Sequence, residues 1–377
     1  MKLFVVNLGE LWLKSEPVKR IFLNKLVDNI KSMLIERGIK FKIRKERDKI
    51  FVYANKSAGK VLKNVFGITS FSFAEEVETD YESIAKAVRK MAKGIRCGES
   101  FAISVNRSWK GFKYTSKEME RMLGALIKRK VDLENPDKVI YVDIRKDNSY
   151  VYMEREKGLG GMPISTAGRV ISLFSGGFDS AVASFMMMKR GCSIELVYFY
   201  NYPFSPKSDR ERVIAVAKVL RKYYPKSLRL YIIPFAKIEE GVMNYCHIKY
   251  ACLIGRRIMI RIAEKIARMR NAKALVSGEN LSQVASQTLE NMASVGKAST
   301  MLILRPLVGF DKNEIIEMAK QIGVYEKSSK ISSPCPLTHK RPATKSEPKT
   351  LEEEEDKIKG LQELIDNAIK EAEVLEI

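Results

Sequence analysis

Val170-Ile-Ser-Leu-Phe-Ser-Gly-Gly-Phe-Asp-Ser180 is the stretch on which the fold turns. An apolar run ends in Ser175-Gly176-Gly177-Phe178-Asp179-Ser180, and residues 181–190 continue with helical patterning. A strand that turns on two glycines into a helix gathers free backbone N–H groups around one small volume. The positive end of the helix dipole adds to them, which makes a phosphate site. The order excludes a Walker A loop, because no Gly-Lys-Ser/Thr closes it, and a dinucleotide fingerprint, because the third glycine is missing. An ordinary glycine-rich turn is the competing reading.

Downstream, strands and helices alternate. Residues 194–199, 228–234 and 273–278 read as strands; 208–223, 253–270, 283–295 and 312–323 read as helices. Strands separated by helices of this length imply a parallel sheet covered on both faces, with ligands at the carboxyl ends of its strands. Leu351, Ile358, Leu361, Ile365 and Ile369 recur at helical spacing, so the acidic tail is expected to be a docked helix.

Upstream, the style is α+β. A strand at Phe4–Val6 precedes a helix over 18–34, with Ile21, Phe22, Leu26, Ile30 and Leu34 in register. Residues 41–45 and 50–53 form a pair of strands. Residues 37–60 hold nine Lys/Arg and two acidic residues, a candidate backbone-contacting surface or a solvated face. Residues 61–66 and 83–94 are expected helices and 101–107 a strand. A helix over 116–131 follows, with Ser116 as N-cap and Met119, Met122, Leu123, Leu126 and Ile127 inward. Residues 139–145 and 150–153 read as a hairpin around 146–149. Lys157-Gly-Leu-Gly-Gly-Met-Pro163 reads as a glycine-rich linker.

At 377 residues the chain is expected to form two or three domains, and a hydrophobic fraction of 45% supplies their cores. No long uncharged apolar run and no secretory start is present, which points to a cytoplasmic protein with no membrane partner. The net charge of +22 is uneven. Residues 1–165 carry 34 basic and 21 acidic side chains, 166–346 carry 29 and 13, and 347–377 carry 4 and 11. Two basic bodies with an acidic tail call for a polyanionic partner, since each neutralised phosphate releases counterions. Five cysteines without framework spacing are expected to be thiols in a reducing compartment.

Ser-Gly-Gly-x-Asp-Ser resembles the PP-loop of ATP pyrophosphatases, which activate an oxygen by adenylation and release pyrophosphate. Residues 61–155 resemble a THUMP RNA-binding domain, through Val105-Asn-Arg107, Val131-Asp-Leu-Glu-Asn-Pro-Asp137 and Tyr150-Val-Tyr152. Gly158-Leu-Gly-Gly-Met-Pro163, the Ser-Gly-Gly turn, Arg256-Arg-Ile-Met-Ile-Arg-Ile-Ala-Glu264, Gly278-Glu-Asn-Leu-Ser-Gln-Val-Ala-Ser-Gln287, Arg305-Pro-Leu-Val-Gly-Phe-Asp-Lys312 and Arg341-Pro-Ala-Thr-Lys345 follow in order. With Gly9-Glu-Leu-Trp-Leu-Lys14, they resemble the tRNA 4-thiouridine synthetases, or tRNA sulfurtransferases, over nearly the whole chain. The resemblance implies a multidomain α/β and α+β protein. Its parts are a ferredoxin-like domain (1–56), a THUMP domain (57–157), a linker (158–168), a doubly wound PP-loop domain (169–346) and an acidic C-terminal helix (347–377).

The activity so implied is ATP-dependent thiolation of tRNA uridine, at position 8, by adenylation of the uracil C4 oxygen and its replacement by sulfur. By resemblance, Leu173, Phe174, Ser175, Gly176, Gly177, Asp179, Ser180, Tyr198, Phe199, Arg256, Gly278 and Gln287 surround ATP. Asp179 is placed to carry Mg2+ or orient a phosphate, or else to cap the helix; Lys312 to face a phosphate, or else to be a surface lysine. Lys42, Arg44, Lys45, Arg107, Lys110 and Lys113 are the candidate tRNA contacts. A homodimer and a sulfur donor (cysteine desulfurase, sulfide or another carrier) complete the expected partners.

Cys335, in Ser332-Ser-Pro-Cys-Pro336, occupies the family's catalytic cysteine position; Lys330, Lys340 and Arg341 nearby favour its thiolate. No rhodanese-like domain is expected after it. Two roles remain for the other cysteines. Cys252 can resolve a Cys335 persulfide as a disulfide, or Cys246, Cys252 and Cys335 can ligate an iron–sulfur cluster. Gly255 stands where some relatives complete Cys-x-x-Cys. An adenylating amide ligase shares the turn but leaves the RNA-type half unexplained, and a silent RNA binder leaves the phosphate loop unexplained.

Overall fold

The computed structural model describes residues 1–9, 15–46, 48–153, 155–329, 337 and 342–377. Two compact units divide between Gly161 and Met162. The first carries strands β1 (Lys2–Leu8), β2 (Phe41–Lys45), β3 (Lys49–Ala54), β4 (Ile68–Glu78), β5 (Ser100–Arg107), β6 (Lys130–Val131), β7 (Lys138–Ile144), β8 (Asn148–Tyr152) and β9 (Glu156–Lys157). Its helices are α1 (Glu16–Glu36), α2 (Ala58–Leu62), α3 (Tyr81–Ala92) and α4 (Ser116–Gly124). The strands join in the order β2-β3-β1-β4-β8-β7-β5-β6, with β9 on β4. The eleven-residue β4 is long enough to serve both halves. Its first part pairs with β1 and its last part with β8.

Buried charge ties these halves together. Lys49 Nζ on β3 donates to Asp143 Oδ2 on β7 at 2.7 Å, and Asp143 is 1% exposed. Arg145 donates to Asp143, to both carboxylate oxygens of Asp48 and to Glu46. Those carboxylates hold the guanidinium charged despite burial, and the Arg145 charge, against the cost of burial, pulls the Asp48 carboxyl below its usual range.

Local chemistry corrects several sequence expectations here. Ile21 is 62% exposed, and α1 instead turns Leu23, Leu26, Val27, Ile30, Met33 and Leu34 inward. The helix expected over 116–131 ends at Gly124. Thr115 caps it rather than Ser116, through a reciprocal capping box with Glu118. Leu126 and Ile127 still pack on the core from the turn that follows. The glycine-rich run at 158–163 is not slack. Gly158 and Gly160 donate to Thr69 and Ile68 carbonyls, and a Cβ on Gly158 would meet the Ile68 oxygen at 2.3 Å. Only glycine allows that approach.

The second unit carries strands β10 (Arg169–Leu173), β11 (Ser193–Tyr200), β12 (Arg229–Pro234), β13 (Ala274–Val276), β14 (Leu302–Leu304) and β15 (Glu373–Glu376). Its helices are α5 (Phe178–Lys189), α6 (Lys207–Arg221), α7 (Ala236–Tyr245), α8 (Ala251–Met269), α9 (Leu289–Gly296), α10 (Lys312–Ile322), α11 (Tyr325–Ser328), α12 (Pro348–Asp356) and α13 (Leu361–Lys370). The sheet order is β14-β13-β10-β11-β12-β15. All neighbours are parallel except β15, which is antiparallel to β12. The chain leaves β10 toward β11 on one side and returns to β13 on the other, so a crevice opens at the carboxyl end of β10.

The acidic tail is not the single helix expected over 347–377. Gly360, in the left-handed region at φ 68°, separates α12 from α13, and the chain ends as an edge strand. Its carboxylates meet the basic domain: Glu373 accepts from Arg210, Glu376 from Arg229, and Asp366 from Lys265. The strongest anchor is Arg257 on α8, wholly buried, which donates to Glu355 Oε2 at 3.0 Å and to the Ser294 carbonyl at 2.7 Å. Breaking a buried pair from one side costs about 3–5 kcal/mol, because the other charge is left uncompensated. Glu355→Ala is therefore expected to destabilise the second unit by about 3 kcal/mol. Glu352→Ala, whose carboxylate is half exposed at 3.5 Å from Arg257, is expected to cost under about 1 kcal/mol. Urea unfolding of the two variants measures the difference.

No helix among the described residues is long and apolar enough to cross a membrane.

Candidate active site

The crevice at the carboxyl end of β10 is a cavity of about 320 Å3, within the size range of small-ligand sites. Four strand ends supply its walls. Leu173, Phe174 and Ser175 leave β10, Tyr198 and Phe199 close β11, Ser277, Gly278 and Glu279 follow β13, and Ile303 comes from β14.

The floor is the Ser-Gly-Gly turn. Gly176 sits at φ 73°, and a Cβ there would meet Val213 Cγ2 at 2.7 Å. Both facts require glycine. Gly177 occupies the N-cap position of α5 with no side chain capping the helix, so the first amides stay open to an anion. Serines hold the turn rigid. Gly177 N donates to Ser175 Oγ at 3.2 Å, Ser180 Oγ donates to the Gly177 carbonyl at 2.9 Å, and Ser175 and Ser180 hydroxyls lie 3.2 Å apart. Gly278 comes so close to the start of α5 that a Cβ would meet Ser180 N at 2.8 Å. A side chain there would fill the space beside the turn.

Asp179 is the second residue of α5, so the helix-cap alternative for it is not realised. Its two oxygens accept from Lys312 Nζ at 2.9 and 3.0 Å. Lys312 opens α10, which Asp311 and Glu314 cap reciprocally, and its ammonium also lies 4.3 Å from the centre of the Phe178 ring. Lys312 is thus paired with the carboxylate of the turn while its side chain stays partly exposed.

Helix α8 forms one wall. Arg256, Met259 and Ile260 line the crevice, and Cys252, partly buried, stands one turn before Arg256 on the same face. Arg256 donates to Glu279 Oε1 at 3.0 Å, while Arg305 Nε donates to Glu279 Oε2 at 2.8 Å. Glu279 thus joins three sequence motifs. The helix expected over 283–295 is broken instead. A single 3₁₀ turn (Ala285–Gln287) is followed by α9, which Thr288 caps through the Asn291 amide. The break brings Gln287 to the crevice, where it is 7% exposed and its Oε1 has no hydrogen-bond partner among the described residues. Burial pushes the Tyr198 hydroxyl's pKa up, so it stays protonated.

All twelve sequence candidates for nucleotide contact thus lie at this crevice or in its floor; Gly176 and Gly177 contribute backbone. Met259, Ile260, Ser277, Glu279 and Ile303 were not singled out. Met259 and Ile260 follow Arg256 by three and four residues, a helical spacing that carried the signal, and Glu279 follows Gly278 directly.

Cys335 lies outside the described residues, as do Lys330, Lys340 and Arg341. Leu337 is described and 2% exposed. It packs on Gly255, where a Cβ would meet Leu337 Cδ1 at 2.6 Å. Cys246 is buried, its Sγ donates to the Glu354 carbonyl at 3.3 Å, and burial with the Glu354 carboxylate pushes its pKa up to about 11. Among the described residues, no group of three His, Cys, Asp or Glu is placed to hold a metal ion.

In the first unit, Lys42, Lys45, Lys110 and Lys113 are exposed. Arg44 is half-buried and engaged with Glu76 and the Tyr150 hydroxyl. Arg107 donates to the Phe112 and Tyr114 carbonyls, so it shapes the loop that displays Lys110 and Lys113.

Comparison with known proteins shows the family. Residues 165–359 match the family model described as thiamine biosynthesis protein (ThiI), residues 3–72 the ThiI ferredoxin-like domain, and residues 78–154 the THUMP domain. The probable tRNA sulfurtransferase of Caldanaerobacter subterraneus is 38% identical over 384 residues, covering 99% of both chains. That of Acetivibrio thermocellus is 36% identical over 392 residues, covering 100% of this chain and 99% of its own. A crystal structure of a 4-thiouridine synthetase–RNA complex with bound ATP superposes with a TM-score of 0.92 at 34% identity over the whole of both chains.

Proposed function

The chain belongs to the tRNA sulfurtransferase (ThiI) family, and from that premise we propose that it makes 4-thiouridine in tRNA by two successive displacements. Uracil O4 is a poor leaving group. It attacks the α-phosphorus of ATP, pyrophosphate departs, and the O4–AMP bond turns the oxygen into a good one. Sulfur then adds at C4 and AMP leaves with that oxygen.

The observation that carries this reading is the open α5 N-terminus above the paired Asp179 and Lys312. Amides of the Ser-Gly-Gly turn bind the β- and γ-phosphates; Lys312 faces the charge that develops on the departing pyrophosphate. The unpartnered Gln287 oxygen accepts from an amine or hydroxyl of the nucleotide. Asp179 is the carboxylate that would hold Mg2+, since that ion commonly uses one or two carboxylates with substrate phosphates. Bound there, the ion neutralises phosphate charge.

Sulfur is delivered by two cysteines rather than a cluster. Leu337 fastens the chain two residues from Cys335 against Gly255, within one helical turn of Cys252. A persulfide donor passes its terminal sulfane sulfur to the Cys335 thiolate and leaves as a thiolate, so Cys335 becomes a persulfide. Its terminal sulfur attacks C4 and displaces AMP, leaving Cys335 joined to the base through a disulfide. The Cys252 thiolate attacks Cys335 Sγ, 4-thiouridine departs, and a Cys252–Cys335 disulfide remains for a dithiol reductant to open. The Cys246 thiol, held protonated, takes no part.

The exposed lysines of the first unit contact the tRNA backbone in the cytoplasm, and a second copy of the chain completes a dimer, as the family resemblance implies. Pyrophosphate release with and without tRNA transcript tests the function. Release that requires tRNA is expected. Equal release without RNA would favour an amide ligase, and none a silent binder.

A further inference from the structure

Tyr198, Tyr200 and Tyr202 step outward from the crevice to solvent. Strand periodicity puts Tyr198 and Tyr200 on one face of β11, and Tyr202 continues the series just beyond its end. Tyr198 lines the crevice at 7% exposure, Tyr200 is half-buried, and Tyr202 is 51% exposed. The rings follow one another at 6.1 Å, Tyr198 tilted 35° to Tyr200 and Tyr200 stacked at 25° on Tyr202. Lys207 Nζ lies 5.6 Å from the Tyr202 ring centre. Unlike Arg210, which Glu373 engages, Lys207 has no carboxylate partner among the described residues. Phe204 adds a further exposed ring. Aromatic faces half in water beside a free cation, at the rim of a reaction crevice, are what a flat ligand with an anionic backbone requires.

We propose that Tyr200 and Tyr202 are a stacking platform for an unpaired nucleobase of the RNA substrate, the neighbour of the uridine that enters the crevice. This rests on the thiolation reading. Chemistry at a base C4 needs that base out of its stack, and its neighbour loses a stacking partner in the process. The Tyr202 face replaces that partner, and Lys207 meets the phosphate between the two nucleotides. Stacking reads no particular base, so the platform contributes affinity and position rather than sequence preference.

The full-length enzyme with tRNA transcript tests this in two ways. Tyr202→Ala is expected to raise KM for tRNA about tenfold, the scale of one base–aromatic stack, and to leave KM for ATP unchanged. Tyr202→Phe keeps the ring and should stay within about twofold of the parent. Transcripts carrying 5-iodouridine beside the target position should, on irradiation, crosslink to the peptide containing Tyr200 and Tyr202. An unchanged tRNA KM in Tyr202→Ala, equal damage in Tyr202→Phe, or crosslinks only elsewhere while the RNA is thiolated would overturn the platform alone. Failure of the unaltered enzyme to thiolate tRNA would overturn the parent reading with it.

Discussion

Lys312→Ala is expected to slow tRNA-dependent pyrophosphate release by about a hundred- to a thousand-fold, the effect of removing one preorganised charge from a transition state. The ammonium is fixed by Asp179 at 2.9 and 3.0 Å and by the capped start of α10, so it needs no reorganisation when charge appears on the leaving phosphates. The loss should fall on kcat, since the exposed lysines of the first unit, proposed to contact RNA, are untouched. Folding should survive. The pair is partly exposed on both sides, and such pairs are worth at most about 1 kcal/mol. Lys312→Arg keeps the charge on a differently shaped group and should recover only part of the rate. Initial rates of pyrophosphate formation, with a thermal melt of each variant, settle the matter. A Lys312→Ala enzyme within threefold of the parent rate would remove Lys312 from the reaction.

Cys335→Ser should separate the two half-reactions. In the proposed mechanism adenylation uses the turn, Asp179 and Lys312, none of which involves a thiol, so AMP and pyrophosphate should still form through slow hydrolysis of the activated base. 4-Thiouridine should fall at least about a thousandfold, because no sulfane atom can be carried. Cys252→Ser should complete fewer turnovers for lack of a resolving thiol, and Cys246→Ser should thiolate normally. Base analysis of the product RNA, beside pyrophosphate counted in the same tube, gives both numbers. Undiminished 4-thiouridine from the Cys335 variant would transfer the sulfur to another carrier.

Much of this was legible in the chain because local rules and tertiary structure agree. Gly176 of the turn is required by its positive φ and by the approach of Val213, and that requirement is visible as a residue type. Alternating strands and helices announced the parallel sheet, and most of the residues singled out for nucleotide contact line one crevice at its strand ends. What escaped depends on distant partners. Glu279 matters because Arg256 and Arg305 converge on it, and no spacing records that. Arg257 reads as one more charge on a basic helix until Glu355, 98 residues away, buries it. The tail kept its helical periodicity, yet one left-handed glycine divided it, and residues 373–376 found a sheet edge instead. Gly255 looked like a missing cysteine; it is the seat of Leu337.

The most direct measurement follows one oxygen atom. A tRNA transcript built with 18O at uracil O4 is thiolated with ATP, a sulfane-sulfur donor (a cysteine desulfurase with cysteine) and a dithiol reductant, and the AMP formed is weighed by mass spectrometry. Each AMP is expected to carry one 18O, matching 4-thiouridine mole for mole, because the C4–O bond breaks after the oxygen has bonded to phosphorus. AMP without label, or ADP and orthophosphate in its place, would contradict activation at O4 and with it the mechanism built on the Ser-Gly-Gly turn.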